Sequence, residues 1–195
     1  YGAYQSIGAN TAAYTILSPI TWGYDGSTEM YRYDPEKAVQ LLEEAGWVMN
    51  EETGIREKDG QPLEVILNTW EEQSVADVAQ AQLREIGINI DLGVLPVLTV
   101  NEMQRTGESH GSPLPFARSD PGVLRFTFHS SNIGGWNLCF LDDPEVDALL
   151  DDAMTEMDRE KRAQMYAEVQ QIVMERALVL PLYNRDNVVA VWEPV

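Results

Sequence analysis

The sequence predicts an α/β fold: a mixed sheet containing a βαβ unit, with flanking helices, in a single domain over residues 1–195. Three observations carry that expectation. Residues 63–92 read as strand, amphipathic helix and strand within about thirty residues, the length of one βαβ unit. Two strong helical patterns follow over residues 143–174, each opened by an Asp. With 44% hydrophobic residues in 195, the chain can bury a sizeable core.

The elements justify themselves in chain order. Residues 1–33 are rich in Gly, Tyr, Ser, Thr and Pro and read as an irregular lead-in. So long an irregular stretch belongs in a compact domain only if it lies over other structure. Asp34, Pro35 and Glu36 open a helix as N-cap, first helical residue and a charge suited to the positive end of the dipole. Its apolar stripe is Ala38, Leu41, Leu42 and Ala45, and Gly46 ends it, with Trp47 expected to pack back. Asp59-Gly60 marks a hairpin tip. Residues 63–69 form a strand. Ser74 opens the next helix, with Val75, Val78, Ala79, Leu83 and Ile86 inward and Gly87 as its stop. Residues 88–92 alternate strictly, as a half-buried strand does. A βαβ unit runs its strands parallel, usually with a right-handed crossover.

Residues 96–106 suit another helix, and Leu114-Pro115-Phe116-Ala117 is a short apolar run. Asp143-Pro144 starts a helix with Val146, Leu149, Leu150, Ala153, Met154 and Met157 inward. Asp158 caps the next, with Ala163, Tyr166, Val169, Ile172 and Val173 inward. Residues 178–183 and 187–192 read as the last strands. The chain starts at Tyr1 and closes on that strand-like run, so it reads as a piece of a longer protein.

Composition excludes several functions. There are 32 Asp and Glu against 13 Lys and Arg, a net charge of −19. Nucleic acid needs a basic surface that no run supplies, and anionic lipid is disfavoured by the same charge. A single Cys leaves neither a disulfide framework nor a CxxC motif. Structural zinc wants four Cys or His ligands, and the chain has one Cys and two His. His129-Ser130 lacks a nucleophile-elbow motif, and both His110 and His129 read as loop residues. Asp142-Asp143 and Asp151-Asp152 lack a calcium-loop pattern. No cofactor and no enzymatic activity are expected. An acid-dependent hydrolase remains the alternative, because paired carboxylates can serve glycoside hydrolysis.

Open α/β sheets gather ligands beyond the carboxyl ends of their strands. That rule points to Thr69, Trp70 and Glu71 after the first βαβ strand, and to Phe116, Arg118 and Asp120 after the run at 114–117. Trp136 and Asn137 follow in a loop after two Gly residues. Trp70 and Trp136 offer flat walls with a polar edge. Arg118 offers a permanent charge able to grip a carboxylate in two places.

Tyr33-Asp34-Pro35-Glu36-Lys37-Ala38 through Leu41-Leu42-Glu43-Glu44-Ala45-Gly46-Trp47 resembles a hallmark segment of the bacterial extracellular solute-binding proteins of family 5. Similar segments follow in the expected order: Lys58-Asp59-Gly60-Gln61-Pro62-Leu63, Gln82-Leu83-Arg84-Glu85-Ile86-Gly87-Ile88, Ser119-Asp120-Pro121 with Phe128-His129-Ser130-Ser131, Asp143-Pro144-Glu145-Val146-Asp147-Ala148-Leu149-Leu150, and Leu180-Pro181-Leu182-Tyr183 with Val188-Val189-Ala190-Val191.

The resemblance implies the substrate-binding component of an ABC importer, taking peptides or a similar small solute. It implies a periplasmic-binding-protein-like type II lobe, the second large lobe of a two-lobed protein. The partners implied are the solute, a membrane permease and the first lobe of the same protein. Residues 1–33 would run near the lobe junction. The location implied is periplasmic or extracellular, with a lipoprotein anchor compatible with either. In dipeptide-binding relatives an Asp in the loop matching 114–121 holds the ligand's amino group, and Ala117 stands there. An Arg after the first strand holds the carboxylate in those relatives, where this chain reads Thr69-Trp70-Glu71. Both departures point away from a plain dipeptide.

Overall fold

The computed structural model describes residues 11–71, 73–113 and 119–184. Its strands are β1 (Thr11–Ala12), β2 (Val48–Asn50), β3 (Ile55–Lys58), β4 (Gln61–Pro62), β5 (Glu64–Thr69), β6 (Asn89–Val94) and β7 (Tyr183–Asn184). Its helices are α1 (Pro35–Glu44), α2 (Gln73–Glu85), α3 (Val97–Thr106), α4 (Val123–Phe128), α5 (Pro144–Thr155) and α6 (Arg159–Glu175). The mixed α/β class is as expected. Within the span read as one domain, the chain packs as two compact units. The first holds Tyr1–Arg32, Arg118–Asn132 and Cys139–Val195; the second holds Tyr33–Ala117 and Ile133–Leu138.

The second unit is built on β5 and β6, which pair in parallel from Glu64 opposite Asn89 to Thr69 opposite Val94. The βαβ expectation holds: α2 connects them and packs on both. The helix starts at Gln73, so Ser74 lies inside it rather than before it. Val75 and Ala76 are buried while Val78, Ala79, Leu83 and Ile86 are half-buried. On the other edge of β5, the His110 amide donates to the Ile66 carbonyl at 2.9 Å and the Asn68 amide to the Gly111 carbonyl at 3.1 Å. The free edge of β5 is therefore covered without a full strand, which removes unpaired backbone groups.

The hairpin at Asp59-Gly60 is present. β3 and β4 pair with Lys58 opposite Gln61, leaving a two-residue turn. Both turn residues take positive φ, 52° and 75°, as a type I′ turn requires. β2 completes this small antiparallel sheet, with Met49 opposite Arg56.

α1 starts as its sequence dictates: Asp34 Oδ1 accepts from the Lys37 amide at 2.9 Å, and Pro35 leads the first turn. It ends in a Schellman motif, with Gly46 donating to the Glu43 carbonyl and Trp47 to the Leu42 carbonyl, both at 2.9 Å. Its apolar stripe is not buried. Ala45 is exposed, Ala38 and Leu42 are half-buried, and Leu41 is 51% exposed. The helix is held instead by its end. Arg56, 3% exposed on β3, donates Nε to the Ile86 carbonyl at 2.8 Å and Nη1 to the Trp47 carbonyl at 2.9 Å. Its Nη2 reaches Glu43 Oε1 at 3.4 Å. One guanidinium thus satisfies carbonyls left over at the ends of α1 and α2, where a cation also suits the helix dipoles. Gly87 lies against this clip with φ +87°, and a Cβ there would sit 2.8 Å from Arg56 Cγ. Any side chain at 87 would both strain the backbone and displace the arginine.

The first unit is helical. α4, α5 and α6 bury Leu124, Phe128, Val146, Leu150, Ala153, Tyr166, Val169 and Val173 in one cluster with Leu17 and Leu141. Asp143 caps α5 by accepting from the Glu145 amide at 2.8 Å, and Asp158 caps α6 through the Glu160 amide at 2.9 Å. Two residues expected inward face out: Met154 is 52% exposed, and Met157 is 94% exposed because α5 has already ended at Thr155. The lead-in lies over this core. Leu17 is 3% exposed, Trp22 meets the Tyr166 ring edge-on at 5.9 Å, and Gln170 donates to the Gly23 carbonyl at 2.8 Å. β1 pairs antiparallel with β7. The strand expected over 178–183 shrinks to Tyr183–Asn184. Pro181 has no amide to give a ladder, and Leu178 is still bonded back to the Val173 carbonyl at 3.1 Å. The run at 187–192 lies outside the described residues.

Candidate functional site

Because β5 and β6 are parallel, Thr69 and Val94 end on one edge, and the Leu95 amide closes it by donating to the Thr69 carbonyl at 2.9 Å. The expected edge therefore exists in the second unit. Thr69 is fully buried, and its hydroxyl donates to the Glu71 carbonyl, which shapes the bend after the strand. Trp70 is half-buried and Glu71 exposed.

Trp136 and Asn137 belong to the same unit. Trp136 is 45% exposed, while Asn137 is fully buried in a short bridge between residues 133 and 137. α3 packs against β5, and its Arg105 donates Nε to the Gly135 carbonyl at 3.4 Å. The Trp136 segment is thus tied to the helix that backs β5. Of the expected site residues, Trp70, Glu71 and Trp136 present accessible surface. Thr69 and Asn137 support the turns that carry them.

Phe116 and Arg118 lie outside the described residues. Asp120 belongs to the first unit and is spent locally: Oδ1 accepts from the Gly122 amide at 2.7 Å and lies 3.7 Å from Arg162 Nη2. It shapes the turn into α4.

Three features escaped the sequence reading. Asn68 Nδ2 and Gln104 Oε1 are buried in the second unit with no partner among the described residues, although each residue is 5% exposed or less. Asn68 also lies so close to Gly93 that a Cβ there would sit 2.2 Å from Asn68 Oδ1. Nothing local in the sequence marks either amide as buried. His110, read as a loop residue, is part of the sheet edge: its Nδ1 accepts from the Ile66 amide at 2.8 Å. His129 is 8% exposed and sits between two aspartates of α5.

The wider chemistry is sparse. Among the described residues no three His, Cys, Asp or Glu side chains gather as a metal site. Burial pushes the Cys139 thiol above its ordinary range, away from the reactive thiolate. The Arg125 guanidinium holds the Asp151 carboxyl below the usual carboxylate range, and Arg176 does the same for Asp143. Among the described residues no helix is long and apolar enough to cross a membrane.

One aromatic side chain, Trp70, directly follows the carboxyl end of a parallel strand, the edge at which open α/β sheets gather ligands. The model of the bacterial extracellular solute-binding proteins, family 5 Middle, matches residues 4–111, and the chain belongs to that family. Heme-binding protein A of Haemophilus influenzae is 30% identical over 184 residues, covering 90% of this chain and 32% of its own. The oligopeptide-binding protein AppA of Bacillus subtilis, solved with a nonapeptide, superposes with a TM-score of 0.79 at 26% identity, over 94% of this chain and 39% of its own. NikA of Brucella suis, solved with Fe(III)-EDTA, superposes at 0.80 and 27% identity, over 92% of this chain and 38% of its own. The chain spans about a third of the length of the curated relatives it matches.

Proposed function

We propose that this chain is one lobe of a two-lobed solute-binding protein that delivers peptides or a similar small solute to an ABC permease. The observation that carries the reading is the family match over residues 4–111. The relatives are named for heme and oligopeptides, and one was solved with an iron chelate, so the shared architecture accepts unlike solutes. The rest of the binding protein and the permease are the partners of this reading, and the work is binding rather than catalysis.

The proposed ligand face is the exposed surface of Trp70, Glu71 and Trp136, supported from beneath by Thr69 and Asn137. Phe116 and Arg118 are proposed as ligand residues from the sequence alone, Arg118 as the grip for an anionic ligand group. Asp120 is left out of this face, since it belongs to the first unit and shapes the turn into α4.

The test is calorimetry on the full-length protein against a peptide library, with hemin and chelated nickel or iron as rival solutes. Arg118→Ala is expected to cost about 2–5 kcal/mol of binding, the range for losing one partner of a desolvated charge pair. Trp136→Ala is expected to weaken binding without changing the fold. Unchanged affinity in both variants would remove this face from the proposal, and no binding to any of the solute classes would remove the function.

A further inference from the structure

The pairing of β5 with β6 uses one side of each strand. The Asn89 amide donates to the Leu63 carbonyl and the Leu95 amide to the Thr69 carbonyl, both at 2.9 Å. A parallel ladder alternates by residue, so residues 89, 91 and 93 face β5, while Ile90, Leu92 and Val94 turn their backbone groups the other way. β5 has its outer edge covered by His110 and Gly111. On β6 only the Ile90 carbonyl is taken, by Gln80 Nε2 at 2.9 Å. The amides of Ile90, Leu92 and Val94 and the carbonyls of Leu92 and Val94 have no partner among the described residues. Asp91 and Val94 are exposed, Leu92 and Gly93 half-buried, so this edge is open to another strand.

We propose that β6 is a pairing edge at which two copies of this chain join, antiparallel about a two-fold axis at Leu92. The edge is self-complementary in that register. Leu92 exchanges both backbone bonds with Leu92 of the other copy. Ile90 and Val94 exchange theirs across the axis, the Ile90 carbonyl using its second lone pair beside Gln80. Two parallel pairs become one four-stranded sheet. The contact is isologous and uses up both edges, so assembly stops at two.

The side chains agree with a second copy as the occupant. Asp91 is the one charge of β6, and in this register it falls opposite Gly93 of the other copy, so the two aspartates do not meet. Ile90, Leu92 and Val94 face their counterparts on the other side of the sheet. β6 carries neither the Lys nor the Pro with which natural edges refuse pairing. The opposing force is the net charge of −19 on each copy, which salt screens over about 10 Å at 0.1 M. Because the joined strands run in opposite directions, the two carboxyl ends point away from each other, and pairing leaves each proposed ligand face open.

The test is sedimentation velocity of the full chain from micromolar to millimolar protein, at low and high salt, with hydrogen exchange at matched concentrations. A monomer–dimer equilibrium strengthened by salt is expected, and the amides of Ile90, Leu92 and Val94 should gain protection in step with it. Leu92→Pro removes an amide that does not face β5, so the internal ladder is kept. It is expected to raise the dimer dissociation constant at least about tenfold, from the two hydrogen bonds lost across the axis. If Leu92→Pro does not fold, cysteine trapping in a Cys139→Ser background carries the test. Facing residues of a hydrogen-bonded pair have Cα atoms about 5.5 Å apart, within disulfide reach, so Leu92→Cys should cross-link to itself. Asp91→Cys, out of register with its own copy, should not. A chain that stays monomeric at millimolar protein in high salt overturns the pairing. So does a dimer indifferent to Leu92→Pro, or one that cross-links at 91 instead of 92. Protection that follows an added extended peptide, and not protein concentration, gives the edge to a different strand and overturns it as well.

Discussion

The two units of this chain are held together by different means. The helical unit holds twelve of the seventeen buried apolar side chains among the described residues, centred on α4, α5 and α6, with five buried polar ones. The sheet-bearing unit buries five apolar side chains and six polar ones: Arg56, Asn68, Thr69, Gln104, Ser109 and Asn137. Apolar burial is non-directional and tolerant, whereas buried polar groups are costly unless each finds its partner. One unit is therefore stabilised mainly by area, the other by a small number of aimed bonds. The Arg56 bonds lie where β5 and β6 begin, at the end of the pair away from Thr69 and Val94.

The largest expected effect tests the area-held unit. Leu150 is fully buried in its core, and Leu150→Ala should destabilise by about 2–5 kcal/mol through lost transfer energy and a cavity. Urea unfolding with hydrogen exchange should place the loss on α5 and α6. A cost below about 1 kcal/mol would mean that core collapses easily, and the comparison would weaken.

The second test strikes the bond-held unit. Arg56→Met keeps the apolar stem and deletes the donors to the Ile86 and Trp47 carbonyls. Hydrogen bonds to charged groups are worth about 1.5–3 kcal/mol each, so a loss near 3 kcal/mol is expected. Exchange should quicken first at the ends of α1 and α2. If Arg56→Met is neutral, the sheet unit is held by area after all.

A smaller effect comes from the cap of α5. Asp143→Ala should cost about 1 kcal/mol at neutral pH, as losing an N-cap does. The carboxyl is held low mainly by its hydrogen bond with Arg176, whose Nη1 lies 2.6 Å away. A depressed carboxyl stabilises above its unfolded pKa, and that stability is lost as pH falls through the folded value. Thermal melts of parent and variant should therefore differ at pH 7 and converge in acid. A gap that persists in strong acid would assign the effect to packing instead of charge.

The smallest effect is at Leu41, half-exposed on α1. Leu41→Gln should change stability by less than roughly 0.5 kcal/mol. A larger loss, read by the same urea series, would show that the α1 stripe is buried in solution.

These contrasts also separate what could be read in the sequence from what could not. Asp34-Pro35, Asp59-Gly60, Asp143-Pro144 and Asp158 acted as expected because caps and tight turns are settled within four residues. The parallel strands around α2 were legible because periodicity is likewise local. The stripe of α1 misled because a 3.6-residue pattern says that a face can be buried, never what lies opposite it. Met157 misled because the helix stopped two residues earlier. Arg56 was invisible for a different reason: its partners, Glu43, Trp47 and Ile86, come together only after folding. The aromatic pair of the proposed site was legible as far as its unit, since Trp70 and Trp136 fall in the same one. That Thr69 and Asn137 turn inward was not, because burial of a small polar residue depends on neighbours that α3 supplies.

The guanidinium of Arg56 has a consequence for how the sheet-bearing unit assembles. Its contacts are 9, 13 and 30 residues away along the chain, so no two neighbouring elements can form the clip alone. A form in which β3 is already buried but α1 has not ended or α2 has not closed would leave that charge out of water with nothing to hold. A half-built unit thus carries a desolvation penalty that the finished one has removed, which disfavours partly folded forms. Cooperativity in this region is then written into one side chain, and a protease should find α1 either fully protected or freely cut.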